Sequence, residues 1–109
     1  MDVRNYDPAF PEWAGEPGQA DMVYCGDVLE HIEPEYLDNV LDHIRDCARL
    51  GAILLPALIP ARKHLADGRN AHLIVQPVGW WTKRISERFN ILFCNEAEEA
   101  AMFVCETKE

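Results

Sequence analysis

The sequence lacks the features that would assign it to a membrane, a secretory route or a nucleic acid. No apolar run reaches the length of about 20 residues that a membrane-spanning helix needs. Asp2, Arg4 and Asp7 interrupt the N-terminus, so no signal-peptide pattern is present. Only 10 Lys and Arg stand against 19 Asp and Glu, and the formal charge of −9 disfavours contacts with phosphates. These absences predict a cytoplasmic protein that binds neither membranes nor nucleic acid.

The cysteines lack the close pairs that hold structural zinc. Cys25, Cys47, Cys94 and Cys105 are far apart, and none forms a C-x-x-C pair. They lie in apolar surroundings, which indicates small buried hydrophobic residues in a reducing compartment. The acidic turn at 95–99 has no His or Asp at a ligand spacing, so no metal site is expected.

The apolar content is sufficient for one domain spanning residues 1–109, because 49% of the residues are hydrophobic. Residues 21–26 and 52–55 are short continuous apolar runs, which is typical of buried strands. Between them, apolar residues recur at helical spacing from Glu33-Pro34 onward. The pattern predicts an amphipathic helix of about four turns that stops at Gly51.

The second half of the chain predicts another helix and a terminal hairpin. A polar loop at 60–76, with Asp67-Gly68 as a turn, leads to a helix that opens at Pro77. Residues 91–94 and 101–105 are apolar segments on either side of the acidic turn, as in an antiparallel hairpin. The alternation of strands and helices predicts an α/β fold, with a mostly parallel sheet and a C-terminal antiparallel hairpin.

The most specific motif is the segment DMVYCGDVLEHI at residues 21–32. It resembles the fourth strand of class I S-adenosylmethionine-dependent methyltransferases, in which an apolar strand precedes a D-V-L-E-H-[IV] turn. The resemblance covers roughly residues 1–106. The loop at 67–74 followed by Trp80-Trp81 is similar to a compact subgroup often encoded by bacteriophages and their hosts. It implies a truncated Rossmann-like methyltransferase sheet with S-adenosylmethionine as the cofactor.

The resemblance also implies which residues approach that cofactor. The segment Asn5-Tyr6-Asp7-Pro8 is similar to the element that carries the family's acidic ribose ligand, which makes Asp7 a candidate ligand. Asp27 and Glu30 follow a strand's carboxyl end, where open α/β sheets bind ligands, and they are candidates too. Structural roles stay open for all three: Asp7 can start a turn at Pro8, Asp27 can cap a turn, and Glu30 can lie in solvent.

Two histidines are candidate catalytic residues. His31 is a candidate general base, because an unperturbed imidazole titrates near neutral pH. His72 lies in the 67–74 loop, where it could orient a substrate. The structural alternatives are a solvated His31, and a His72 that packs beside Leu73 and Ile74 and binds a backbone group.

The family's first strand and its glycine-rich D-x-G-x-G turn do not occur in the sequence. In the family that strand lies mid-sheet, between the strands expected at 2–6 and 21–25. Strand edges left unpaired in this way are expected to bind another copy of the chain or another protein. The sequence thus favours an incomplete or degenerate methyltransferase, with a non-catalytic protein-binding derivative as the alternative. An acidic decoy for a nucleic-acid-binding protein is a third hypothesis, suggested only by the charge.

Overall fold

The computed structural model describes residues 18–108, which form four strands, two α-helices and two 3₁₀ turns. In chain order these are β1 (Ala20–Gly26), 3₁₀ turns at Leu29–His31 and Pro34–Tyr36, α1 (Leu37–Cys47), β2 (Ala48–Leu55), α2 (Val78–Ser86), β3 (Phe89–Glu96) and β4 (Ala101–Thr107). The α/β class is confirmed. No helix within this part of the chain is long and apolar enough to cross a membrane.

The four strands form a mixed sheet in the order β1-β2-β4-β3. β1 pairs with β2 in parallel, and β4 pairs with both β2 and β3 in antiparallel orientation. The predicted terminal hairpin is confirmed, but the prediction of a mostly parallel sheet is wrong. The reason is that β4 inserts between β2 and β3, which makes two of the three strand pairs antiparallel.

The central position of β4 agrees with its side chains. Ala101, Phe103 and Cys105 alternate along the strand and are buried, as expected of one sheet face that packs against a core. The helices contribute Leu37, Leu41, Trp81 and Ile85 to the same buried cluster. One hydrophobic core therefore joins the sheet to both helices.

The first helix ends earlier than its sequence pattern predicts. The chain passes from Pro34–Tyr36 into α1, which stops at Cys47, and Gly51 lies inside β2. A Cβ atom added at Gly51 would overlap the backbone carbonyl of Cys105 on β4. The glycine is thus needed for close packing of two strands, and its reading as a helix stop is wrong.

An ionic cluster joins the two helices at the protein surface. The Arg88 guanidinium lies 2.6 Å from the Asp42 carboxylate and 3.3 Å from that of Asp38. Arg84 adds a second contact to Asp38 at 3.1 Å. Arg88 is largely covered, with 12% of its side chain exposed, so its hydrogen bonds are better shielded from water than those of an ordinary surface pair.

Candidate functional site

The candidate site begins where β1 and β2 end. The two strands are parallel, and Gly26 is the register partner of Leu55, so both carboxyl ends lie at one edge of the sheet. Asp27 follows with φ of 57°, in the left-handed region that Asp tolerates better than most residues. Its amide donates to the Leu55 carbonyl at 3.5 Å, and its side chain is exposed. Asp27 therefore forms the turn and leaves its carboxylate accessible at this edge.

Glu30, three residues later, has the opposite environment. It is completely buried, and within residues 18–108 neither of its carboxylate oxygens has a hydrogen-bond partner. The His31 imidazole lies beside it, with Nε2 3.8 Å from Oε2 of Glu30. Of the two roles left open for Glu30, the alternative of a solvated side chain is excluded, because the turn at Leu29–His31 directs it into the protein.

The two predicted catalytic histidines are brought together by the fold. The rings of His31 and His72 lie 4.8 Å apart in an edge-to-face arrangement. Nδ1 of His31 is 2.9 Å from the Ala71 carbonyl oxygen, and Nδ1 of His72 is 2.6 Å from that of Ile59. Since a carbonyl oxygen only accepts, each Nδ1 must carry the proton. In the neutral imidazoles, Nε2 then holds the free lone pair.

His72 stands on a loop with its own internal supports. The Asn70 side chain accepts hydrogen bonds at Oδ1 from the amides of Ala61 and His72, and it donates from Nδ2 to the Ala61 carbonyl, all at 2.9 Å. The predicted turn at Asp67-Gly68 is confirmed, with φ of 91° at Gly68. The amide of Ile74 then donates to the Glu30 carbonyl at 3.1 Å, which fastens the loop beside the turn after β1.

Arg69 also holds this loop in place, through ion pairs at the protein surface. Its guanidinium makes a two-pronged contact with the Glu33 carboxylate, at 2.8 and 2.9 Å, and another with Asp67 at 2.7 Å. Hydrogen bonds from Arg69 hold the pKa values of both carboxyl groups below their usual range. The sequence pattern did not identify Glu33 as a partner of this loop, because the two are 36 residues apart.

Glu30, His31 and His72 form a compact group, which we term the Glu30–His31–His72 cluster. One potential ligand atom from each side chain lies within 4.8 Å of the other two. A carboxylate and two imidazoles can act as proton acceptors, or together as ligands of a divalent metal ion. The sequence motifs divided these residues between cofactor binding and catalysis, whereas the structure places them side by side.

Cys25 lies beside this cluster near the end of β1. Burial, followed by the negative charge of Glu30, raises the pKa of its thiol to about 11. The thiol therefore stays protonated at neutral pH and is a poor nucleophile. The prediction that the cysteines are small buried residues is confirmed for Cys105, whereas Cys25 and Cys47 are partly buried and Cys94 is exposed on β3, so the prediction is wrong there.

A concave surface also lies away from this cluster. A shallow polar groove runs past the start of β2 and the end of β4, lined by residues that include Arg45, Arg49, Asn90 and Lys108. This is the opposite end of the sheet from Asp27. Asp7, the predicted ribose ligand, lies outside the described residues.

Comparison of the chain with models of protein families, with curated proteins and with solved structures found no match.

Proposed function

We propose that this chain is a class I S-adenosylmethionine-dependent methyltransferase-like domain. It supplies the part of the cofactor site that lies at the carboxyl ends of the parallel strands. The observation that carries the proposal is the position of the motif DVLEHI, which directly follows β1 at the edge where β1 and its parallel neighbour β2 both end. Open α/β sheets bind their ligands at this edge. The resemblance in sequence and the position in the fold therefore point to the same residues.

The residues at this edge fit only part of the cofactor. Asp27 has an exposed carboxylate that could accept hydrogen bonds from donor groups of the cofactor. The sequence has no glycine-rich turn through which the backbone could approach the methionine portion. In this proposal, residues outside 18–108 or a neighbouring chain hold that portion.

The chemistry assigned to the chain's own residues is limited to positioning and proton transfer. S-adenosylmethionine supplies an electrophilic methyl group, and transfer depends on alignment with a nucleophile. His31 and His72 each have an Nε2 that can accept a proton from that nucleophile. The 67–74 loop, held by Asn70 and Arg69, orients His72.

Isothermal titration with S-adenosylmethionine tests the proposal, on samples whose mass is established by light scattering. We expect saturable binding, and we expect Asp27→Asn to weaken it roughly tenfold or more because a charge-assisted hydrogen bond is lost. Asparagine also tolerates the left-handed backbone, so the turn is preserved. Asp46→Asn is the matched control, because Asp46 is also exposed but lies in the last turn of α1, outside the turn that follows β1. Absence of binding at concentrations that permit oligomers would contradict the proposal.

The unpaired long side of β1, opposite β2, favours a second candidate function: a protein-binding derivative of the fold. Within residues 18–108, β1 is paired only by β2, and Tyr24 is 71% exposed on it. A strand with one free edge can pair with a strand of another chain. The light-scattering mass tests this candidate when it is measured with and without Tyr24→Lys. A concentration-dependent dimer that Tyr24→Lys abolishes is expected, and a monomer at all concentrations would exclude self-association through this edge.

A further inference from the structure

We infer that the Glu30–His31–His72 cluster is a binding site for one divalent transition-metal ion of the zinc class. The proposed ligands are a Glu30 carboxylate oxygen and Nε2 of each imidazole. This site does not depend on S-adenosylmethionine binding. A bound metal ion would occupy both Nε2 atoms, so His31 and His72 could act as proton acceptors only in the metal-free protein.

The burial of Glu30 favours a bound cation. Its side chain is fully inaccessible, and among the described residues nothing donates a hydrogen bond to either carboxylate oxygen. An ionised carboxylate that is buried in a protein is paired, hydrogen-bonded or bound to a metal, because an isolated buried charge is very unfavourable. The 3.8 Å separation from His31 Nε2 is too long for a hydrogen bond. A cation between Glu30 and His31 would satisfy the carboxylate.

The orientation of the two imidazoles independently favours metal binding. Metal-binding histidines usually donate their other ring N–H to a carbonyl or carboxylate, which selects the tautomer and directs the ring. His31 and His72 both make this contact through Nδ1, with the carbonyl oxygens of Ala71 and Ile59. The protein thus orients both rings through Nδ1–H, which leaves Nε2 as the coordinating atom of the neutral ring.

The distances allow a site of this kind after a small closure. The ligand atoms of a tetrahedral zinc site are about 3.4 Å apart at bond lengths near 2.1 Å. One potential ligand atom from each side chain already lies within 4.8 Å of the other two, and the Glu30 and His31 atoms are 3.8 Å apart. Side-chain rotations that shorten the longest of these separations by up to roughly 1.4 Å would form the site.

The ligand set also indicates the class of metal and of ligand. Imidazole nitrogen favours zinc, iron, copper and nickel over magnesium and calcium, which prefer oxygen. Two histidines and one glutamate leave a fourth position for water or for an oxygen of a bound molecule. His31 is 43% exposed on its side chain, so the cluster is open to solvent on that side.

Zinc titration of the full chain, after dialysis against a chelator and without S-adenosylmethionine, tests the inference. We expect one equivalent of Zn²⁺ to bind, and Glu30→Gln and His72→Asn each to weaken binding roughly 100-fold or more. His64→Gln, in the same loop but outside the cluster, is the matched control and should bind as the parent does. Wild-type affinity in both Glu30→Gln and His72→Asn would overturn the inference, as would no binding by the folded parent.

Thermal unfolding separates metal binding from a purely structural role of Glu30. Zn²⁺ should raise the Tm of the parent, because a ligand that binds only the folded state stabilises it. Glu30→Gln removes the carboxylate ligand, so its Tm should no longer respond to Zn²⁺. His72→Asn provides the same test of the zinc response should Glu30→Gln fail to fold. A zinc response that survives in the folded variants would overturn the inference.

Substitution with Co²⁺ identifies the ligand atoms. Nitrogen and oxygen ligands should produce weak visible absorption without the strong sulfur charge-transfer bands of thiolate ligands. Strong sulfur bands would assign the metal to the cysteines, among which Cys94 is exposed, and would overturn the inference.

Discussion

Asp27 and Glu30 are acidic residues of one short turn, yet their side chains have opposite environments. Asp27 is exposed in a left-handed conformation, whereas Glu30 is buried beside two imidazoles. Their local sequence does not distinguish them, because DVLEHI has no period that separates an outward from an inward carboxylate. The difference arises from the 3₁₀ turn at Leu29–His31 and from the loop that covers it.

Gly51 supports a prediction at the same scale. Gly51→Ala should destabilise the protein by about 1–3 kcal/mol, because the added methyl group would overlap the Cys105 carbonyl and force β2 and β4 apart. Urea unfolding measures the change in the free energy of unfolding.

Gly79→Ala is the control for this substitution. No described atom lies within 4 Å of a Cβ added at Gly79, which is in the first turn of α2. Alanine there should stabilise the protein by about 0.5–1 kcal/mol through its helix propensity. Equal effects of the two substitutions would contradict the assignment of Gly51 to strand packing.

The helices α1 and α2 are joined by apolar contacts in the core and by ion pairs at the protein surface. Both helices contribute to the core through Leu41 and Trp81, while Arg88 reaches Asp38 and Asp42. The apolar stripes of both helices were predictable, because helical spacing places residues three and four apart on one face. The ionic contacts were not predictable, since Arg88 and Asp42 are 46 residues apart.

Arg88→Met should therefore lower the free energy of unfolding by about 1–2 kcal/mol, with a smaller difference at high salt, because it removes the shielded contact to Asp42. Arg45→Met is the matched control, since its 3.9 Å contact with Asp46 is largely exposed and should contribute less than about 0.5 kcal/mol. Chemical unfolding at two salt concentrations measures both. Equal losses in both variants would show that the cluster adds nothing beyond an ordinary surface pair.

Two thiols with raised pKa values, one buried and one partly buried, couple the stability of the whole protein to pH. Burial raises the pKa values of Cys25 and Cys105 from 9.0 to about 11. The unfolded chain therefore loses these protons near pH 9, while the folded chain keeps them until about pH 11. Their contribution to stability is complete below pH 9 and is lost as the pH rises toward 11.

We expect the free energy of unfolding to fall between pH 9 and 11, and the fall to be smaller in the Cys25→Ala/Cys105→Ala variant. Comparing the two proteins isolates the thiols from the lysines and tyrosines that titrate in the same range. Urea unfolding as a function of pH is the measurement. Identical slopes for the parent and the double variant would contradict the role of the two thiols.

The sheet shows where local pattern stops being informative. The strands at 21–26, 52–55, 91–94 and 101–105 were recognisable as short apolar runs, and the hairpin followed from the acidic turn between the last two. Which strand lies beside β2 was not recognisable, because both faces and both edges of a buried strand look alike in sequence. The structure places β4 there, and that position turned an expected mostly parallel sheet into a mixed one.

Residue pattern alone was enough for the α/β class, the two helices, the hairpin and the position of the DVLEHI turn after a strand. These properties depend on spacings of two to four residues, over which side chains share one face of a strand or helix. The Glu30–His31–His72 cluster required the folded chain, because the carbonyl that orients His31 belongs to Ala71, 40 residues later. The burial of Glu30 likewise required the loop to pack over the turn, since burial depends on everything that surrounds a side chain in space.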